Sequence, residues 1–173
     1  MIKHCTSIRF SANQGFTLIE VLVATIILAV GLLGISGMQV TGLRSNHSAL
    51  MRSQATMFAY DLSDRMRANG EAFKPAAGYY NNPVAAVDNN CSTTAGCDSQ
   101  AMAENDMYLW NVNIADALPA GAGIVCIDST PDDGTSKTAA ACDGIGSSYA
   151  IKIWWQDNRN AAAAFKRFVV TYL

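Results

Sequence analysis

Gly15-Phe16-Thr17-Leu18-Ile19-Glu20 opens the apolar run Val21-Leu22-Val23-Ala24-Thr25-Ile26-Ile27-Leu28-Ala29-Val30-Gly31-Leu32-Leu33-Gly34 and sets one carboxylate at its mouth. Residues 21–43 carry no charged side chain, a span longer than the ~20 helical residues needed to cross a hydrocarbon core. Glu20 lies inside the edge of that segment. An ionised carboxylate there costs at least a few kcal/mol unless it is partnered, which marks it as a functional residue. Upstream, Lys3 and Arg9 are positive, no acid is present, and Ser11, Asn13 and Gln14 lead into the glycine. This is a short basic leader. A secretory signal is cut after its apolar region at a small-residue site, whereas the Gly15 junction precedes the apolar region, so cutting there leaves the membrane segment on the mature chain. The two cations predict a cytoplasmic N-terminus and send everything beyond residue 43 outward.

GFTLIE followed by VLVATIILAVGLLG resembles the class III leader junction of type IV pilins and type II secretion pseudopilins. The resemblance implies a leader of residues 1–15, cleavage between Gly15 and Phe16 by prepilin peptidase, N-methylation of Phe16, and a role for Glu20 in docking the subunit into a filament. The chemistry is coherent: cleavage creates an ammonium at Phe16, and Glu20 lies four residues further along the same helical face. Either charge can then be paired by its own or a neighbouring subunit's opposite group.

Beyond the apolar span, Leu43, Leu50, Met51, Phe58, Leu62 and Met66 recur mostly at three, four or seven, the period of an amphipathic helix. Asp61 with Arg65 and Asp64 with Arg67 are surface pairs worth a few tenths of a kcal/mol each. Asn69-Gly70 reads as the helix stop. A single helix over residues 16–68 is roughly 80 Å long at 1.5 Å per residue. Within it Gly31, Gly34, Gly37 and Gly42 each cost about 0.5 to 1 kcal/mol relative to alanine. They permit either close helix packing or, by the resemblance, local melting on passage from membrane to filament. The segments SQAT (53–56), AYDL (59–62) and DRMRAN (64–69) resemble the PilV-type minor pilins, the type IV pilus modification proteins.

Residues 71–173 suffice for one modest domain. Residues 74–83 are rich in turn formers and predict an irregular connection. Met107, Trp110, Ile114 and Leu118 predict a second helix over 104–118, ended by Pro119-Ala120-Gly121. Strands are expected at 123–128, 148–156 and 165–173, with a turn at 157–160. In the middle strand Tyr149, Ile151, Ile153 and Trp155 alternate against Ala150, Lys152, Trp154 and Gln156, so one face is apolar. Phe168, Val170 and Tyr172 form the inward face of the last. The expected fold class is α+β and pilin-like: a long N-terminal helix, residues 16–43 in the membrane or filament core and 44–70 amphipathic, with a C-terminal antiparallel sheet packed on its second half.

Of five cysteines, Cys5 falls in the leader. Four allow three connectivities, and closeness in sequence favours Cys91 with Cys97 and Cys126 with Cys142, bonds that form outside the cytoplasm. A bridge closing a loop of about 15 residues contributes roughly 3 kcal/mol. Zinc spacing is lacking, and the only histidines are His4 and His47, in leader and helix. Asp128, Asp132, Asp133 and Asp143 miss the order of a calcium loop and read as a solvated turn. No nucleophile elbow, P-loop or dinucleotide fingerprint occurs, and a head without histidine has no Ser-His or Cys-His pair. No catalysis, cofactor or metal is expected. Losing Lys3 and Arg9 takes the formal charge from −2 to −4, and from residue 71 onward 6 basic and 11 acidic residues leave −5, poorly suited to nucleic acid.

The resemblance therefore implies a minor pilin held single-pass in the inner membrane with a periplasmic head, then packed at the extracellular pilus tip. Its partners would be prepilin peptidase, other minor pilins, the major pilin and a large tip adhesin, and its output pilus initiation, adhesion and twitching motility. The alternatives are a minor pseudopilin of type II secretion, against which SQAT and DRMRAN argue, and a membrane-anchored periplasmic binding domain with an uncut N-terminus.

Overall fold

Helix α1, Leu18–Ala68, runs through 51 residues without a break. It belongs to a computed structural model that describes residues 15–74, 76, 78–157 and 164–172. The leader ahead of Gly15, with Lys3, His4, Cys5 and Arg9, lies outside the described residues, as do Pro75, Ala77 and the expected turn residues 158–160. The chain divides into two compact units between Arg44 and Ser45.

In the first unit α1 starts at Leu18, two residues after the expected start. Thr17 is the reason: its Oγ1 accepts from the Glu20 backbone N–H at 3.3 Å, and its carbonyl accepts from Glu20 and Val21. A threonine at the N-cap satisfies an orphan donor of the first turn, so Phe16 stays outside the helix. The expected one-turn spacing of Phe16 and Glu20 on a shared helical face is thereby corrected. Every residue from 15 to 44 is exposed. This is the one helix among the described residues long and apolar enough to cross a membrane, with a mean hydropathy of 2.7 over its most apolar window. A Cβ on Gly31, Gly34, Gly37 or Gly42 would meet nothing within 4 Å. The chain's own packing therefore gives no reason for glycine at these four positions.

In the second unit α1 buries Met51, Ala55, Ala59, Leu62 and Met66, a stripe at spacings of four and three. The expected stripe is corrected at three places: Leu43 and Leu50 are exposed, and Phe58 is only half-buried. Alanines 55 and 59 take their place, and the Trp110 indole N–H reaches the Phe58 carbonyl at 2.8 Å. Asn69 interrupts the helix with φ −94° and ψ 63°, but Gly70 opens a one-turn helix α2, Gly70–Phe73, rather than acting as a left-handed stop.

A 3-10 turn at Asn89–Ser92 precedes α3, Ser99–Ala117. Helix α3 begins at Ser99, before the expected residue 104, because Asp98 Oδ1 caps it on Ala101 N at 2.8 Å. Strands β1 (Ala122–Ile127), β2 (Tyr149–Trp155) and β3 (Lys166–Tyr172) form an antiparallel sheet in the order β1-β2-β3. Register sets Val125 opposite Ile151 and Ile151 opposite Val170, so one apolar row crosses all three strands. That face packs with Leu62, Met66, Tyr80, Trp110 and Ile114 in a single core. A Cβ on Gly123 would lie 2.3 Å from the Trp110 ring, which is why β1 carries glycine there. The irregular segment before α3 covers the outer edge of β1, with Asn82 N on Val125 O and Asn81 Oδ1 accepting from Ile127 N.

Strand β2 corrects the one-sided expectation, since all seven of its residues are buried. Its second face lies under the 126–142 loop, where Ile124, Ala140 and Trp154 form a small second cluster.

Candidate functional site

The residues singled out by sequence fall in separate places. Gly15, Phe16 and Glu20 lie at the start of the first unit, the four head cysteines in the second. Glu20 sits in the first helical turn, where a carboxylate complements the partial positive charge of the helix N-terminus. It borders a shallow apolar dent lined by Ile19, Val23, Ala24 and Ile27. The chain thus presents a fully exposed apolar helix with one acid at its mouth, suited to lipid or to other such helices.

Cys91 and Cys97 lie at disulfide distance, Sγ–Sγ 2.03 Å, and so do Cys126 and Cys142, at 1.88 Å. The first pair closes the loop that leads into the Asp98 cap. The second ties the end of β1 to the loop over β2.

Under that loop lies a cluster that sequence reading misses. Lys152, expected on an outward face, has a side chain with no exposure, and its Nζ is 2.5 Å from Asp128 Oδ2, whose side chain is equally buried. Nζ also donates to Asp133 Oδ1 and to the Ala140 carbonyl, each at 2.8 Å. Asp133 and the Ala140 carbonyl thus accept from the ammonium, and Asp128 neutralises its charge. Arg167 clamps the same loop through the Gly134 and Asp132 carbonyls, with Asp132 Oδ1 at 3.2 Å. The solvated-turn reading of Asp128 is therefore corrected: it is a buried ion-pair partner. Asp133 is held below the usual carboxylate range by the hydrogen bonds from Lys152 and Thr130. Asp143 is lowered by the Ser129 hydroxyl and by backbone N–H groups. Cys126, Asp128 and Cys142 bring three ligand-type atoms within 4.8 Å, but the two sulfurs are bonded to each other and Asp128 is paired with Lys152. The donor set does not fit a metal ion.

DRMRAN gains a concrete structural meaning. Both expected surface pairs form, Arg65 Nε to Asp61 Oδ2 at 3.0 Å and Arg67 Nη1 to Asp64 Oδ1 at 3.4 Å. Each cation also reaches further. Arg65 Nη1 donates to Asp106 Oδ1 of α3 at 3.3 Å, and the Arg67 guanidinium stacks 4.6 Å over the Tyr172 ring of β3. Asn69 Nδ2 donates to the Ser99 carbonyl at 2.8 Å. Asp106 in turn accepts from the Tyr80 hydroxyl at 2.9 Å. Burial, then the Asp106 charge, pushes the Tyr80 hydroxyl far up from its ordinary value. For Arg65 burial opposes the charge, but Asp61 and Asp106 outweigh it and raise the pKa. A motif that reads as surface charge is thus the fastening between α1, α3 and β3. Tyr80, inside the turn-rich segment 74–83, gives no sequence signal of its part in it.

A long N-terminal helix followed by a three-stranded antiparallel sheet defines a pilin-like α+β architecture. The prokaryotic N-terminal methylation motif matches residues 10–36, and the model of the type IV pilin Tt1218 family matches residues 37–108. The chain is a type IV pilin-family protein. Comparison with curated proteins and with solved structures found no match. Pilins are structural subunits rather than enzymes, and the methylation motif implies processing by prepilin peptidase and assembly with other pilins. The apolar helix and the motif together indicate a membrane-anchored pilin.

Proposed function

We propose that the protein is a PilV-type minor pilin that helps initiate a bacterial type IV pilus. The leader, residues 1–15, is removed between Gly15 and Phe16, and Phe16 is N-methylated. Residues 16–43 hold the subunit in the inner membrane while the head, residues 71–173, stays in the periplasm. Glu20 then docks the helix against its neighbours, and the subunit ends at the filament tip with other minor pilins, the major pilin and a tip adhesin. Through that position it supports adhesion and twitching motility.

One observation carries the reading: residues 18–44 of α1 form an apolar stretch exposed along its whole length, with Glu20 as its only acid. Such a surface requires lipid or other helices to cover it. SQAT, AYDL and DRMRAN favour the minor-pilin branch. Deleting the gene tests the assignment: surface pili should be lost while exoprotein secretion continues. The opposite pattern assigns the chain to type II secretion, and a membrane-extracted protein whose intact mass still begins at Met1 refutes both.

A further inference from the structure

The pilin reading leaves the outer face of α3 without a role. Glu104, Tyr108, Val112 and Asp116 are spaced four apart on this helix and so share one side of it. Tyr108, Leu109 and Val112 are 39%, 39% and 40% exposed. Residues 84–88 run beside the first half of α3, with Ala86 N on the Glu104 carbonyl and Asp88 N on Asn105 Oδ1, both at 3.2 Å. Val84 and Val87 on this neighbouring segment are 77% and 51% exposed. The Cys91–Cys97 bond and the Asp88 and Asp98 caps fix the backbone between the two segments.

The rim of this patch is mainly acidic, with Lys137 beside it. No Lys or Arg occurs between Lys74 and Lys137, a stretch that contains eight acids. Among the described residues no cation pairs with Asp88, Glu104 or Asp116. Among the described residues the Glu104 carboxylate meets only the Gln100 amide, and Lys137 reaches α3 at Asn111.

We propose that this face docks a different subunit, one presenting apolar side chains flanked by Lys or Arg. The proposal rests on the pilin reading and names the surface through which the head recognises its neighbour. An exposed apolar patch with an aromatic centre is the composition of a protein interface. Charge selects the occupant. Two copies of this chain joined through the face would set three unpaired acids against three, with one Lys137 on each side to offset them, whereas a basic-rimmed partner pairs them all. Like charges across an interface suppress the wrong partner, and complementary ones fix register and orientation.

The test is photo-crosslinking in cells with p-benzoylphenylalanine in place of Tyr108 of the full chain, and in place of Leu28 as a report on helix assembly. The expected Tyr108 adduct joins a second pilin-family chain through a peptide containing Lys or Arg. Its yield should fall about tenfold in the double variant Glu104→Lys, Asp116→Lys, a drop equivalent to ~1.4 kcal/mol. Acidic replacements in the partner peptide should restore it, with the near-ultraviolet circular dichroism of the variant unchanged. An adduct of two copies of this chain overturns the proposal, as does a yield that charge reversal leaves within twofold. A Leu28 adduct without a Tyr108 adduct overturns the docking surface and leaves the pilin function standing. Absence of both removes the function and the proposal together.

Discussion

Replacing Lys152 with methionine keeps the length of the side chain and removes its charge. Asp128, whose side chain has no exposure, then loses the cation 2.5 Å from its Oδ2 and keeps the Thr130 amide at 3.0 Å and the Thr130 hydroxyl at 3.5 Å, both on Oδ1. Removing one partner of a buried pair costs about 3–5 kcal/mol, because the remaining charge stays in a medium that solvates it poorly. That is from about a fifth to all of the ~5–15 kcal/mol that holds a typical domain together. Asp133 adds less, since its side chain is 42% exposed and water substitutes for the lost ammonium. The double variant Lys152→Met, Asp128→Leu replaces both charges with apolar groups and should recover most of the loss, as buried pairs exchanged for hydrophobic residues are often near neutral. Urea unfolding of the detergent-solubilised full chain, followed through its tryptophan signals, measures both. If the single variant unfolds within about 1 kcal/mol of the parent, or the double variant is worse than the single, the buried-pair account is wrong.

Glu20→Ala should leave cleavage largely intact but impair incorporation, and normal piliation in that strain would refute the docking role. Arg65→Ala leaves Asp106 short of one partner and should cost about 1–3 kcal/mol in the same unfolding assay, whereas Arg67→Ala, on an exposed pair, should cost under about 1 kcal/mol. Gly123→Ala drives a methyl into the Trp110 ring and should destabilise by about 1–3 kcal/mol; an unchanged midpoint would contradict the close approach. Asp133 and Asp143 have depressed native pKa values, so their contribution is complete above the unfolded value of 3.8 and is lost as pH falls through the lower native one. Circular dichroism should therefore show no loosening of this loop until pH drops below about 4, and an onset near pH 6 would count against these pairs. Tyr80 has the opposite sign, its raised pKa keeping its contribution whole below pH 10 and losing it as pH rises further.

Long periodic elements were readable from the chain. The end of α1 at Ala68 and the cores of all three strands follow from apolar spacing and turn residues, because those signals are local. Boundaries set by capping were harder, although Thr17 with Glu20 and Asp98 before Ser99 are both legible as caps in retrospect. The buried stripe of α1 runs through Ala55 and Ala59, whose small side chains carry too little apolar surface to mark the buried face in the periodicity. Lys152 is placed by residues far from it in sequence. Strand alternation assigns it to the outer face, and only the loop between Cys126 and Cys142, folding back over β2, turns that face into an interior. The same holds for Tyr80 and Asp106, whose partnership spans 26 residues and carries no periodic trace.

The fastening of Arg65, Arg67 and Asn69 to Asp106, Tyr172 and Ser99 bears on how such a protein can be recombined. The visible seam, where the long helix ends at Ala68, is the wrong place to cut. A chimaera that joins another pilin's helix to this head at residue 70 discards all three anchors while keeping the surfaces they grip. Exchange at Arg44 and Ser45 carries them along. Lineages that trade heads by recombination should therefore show crossover points well inside the helix, upstream of Met51, with the last turns of α1 inherited together with the sheet they hold.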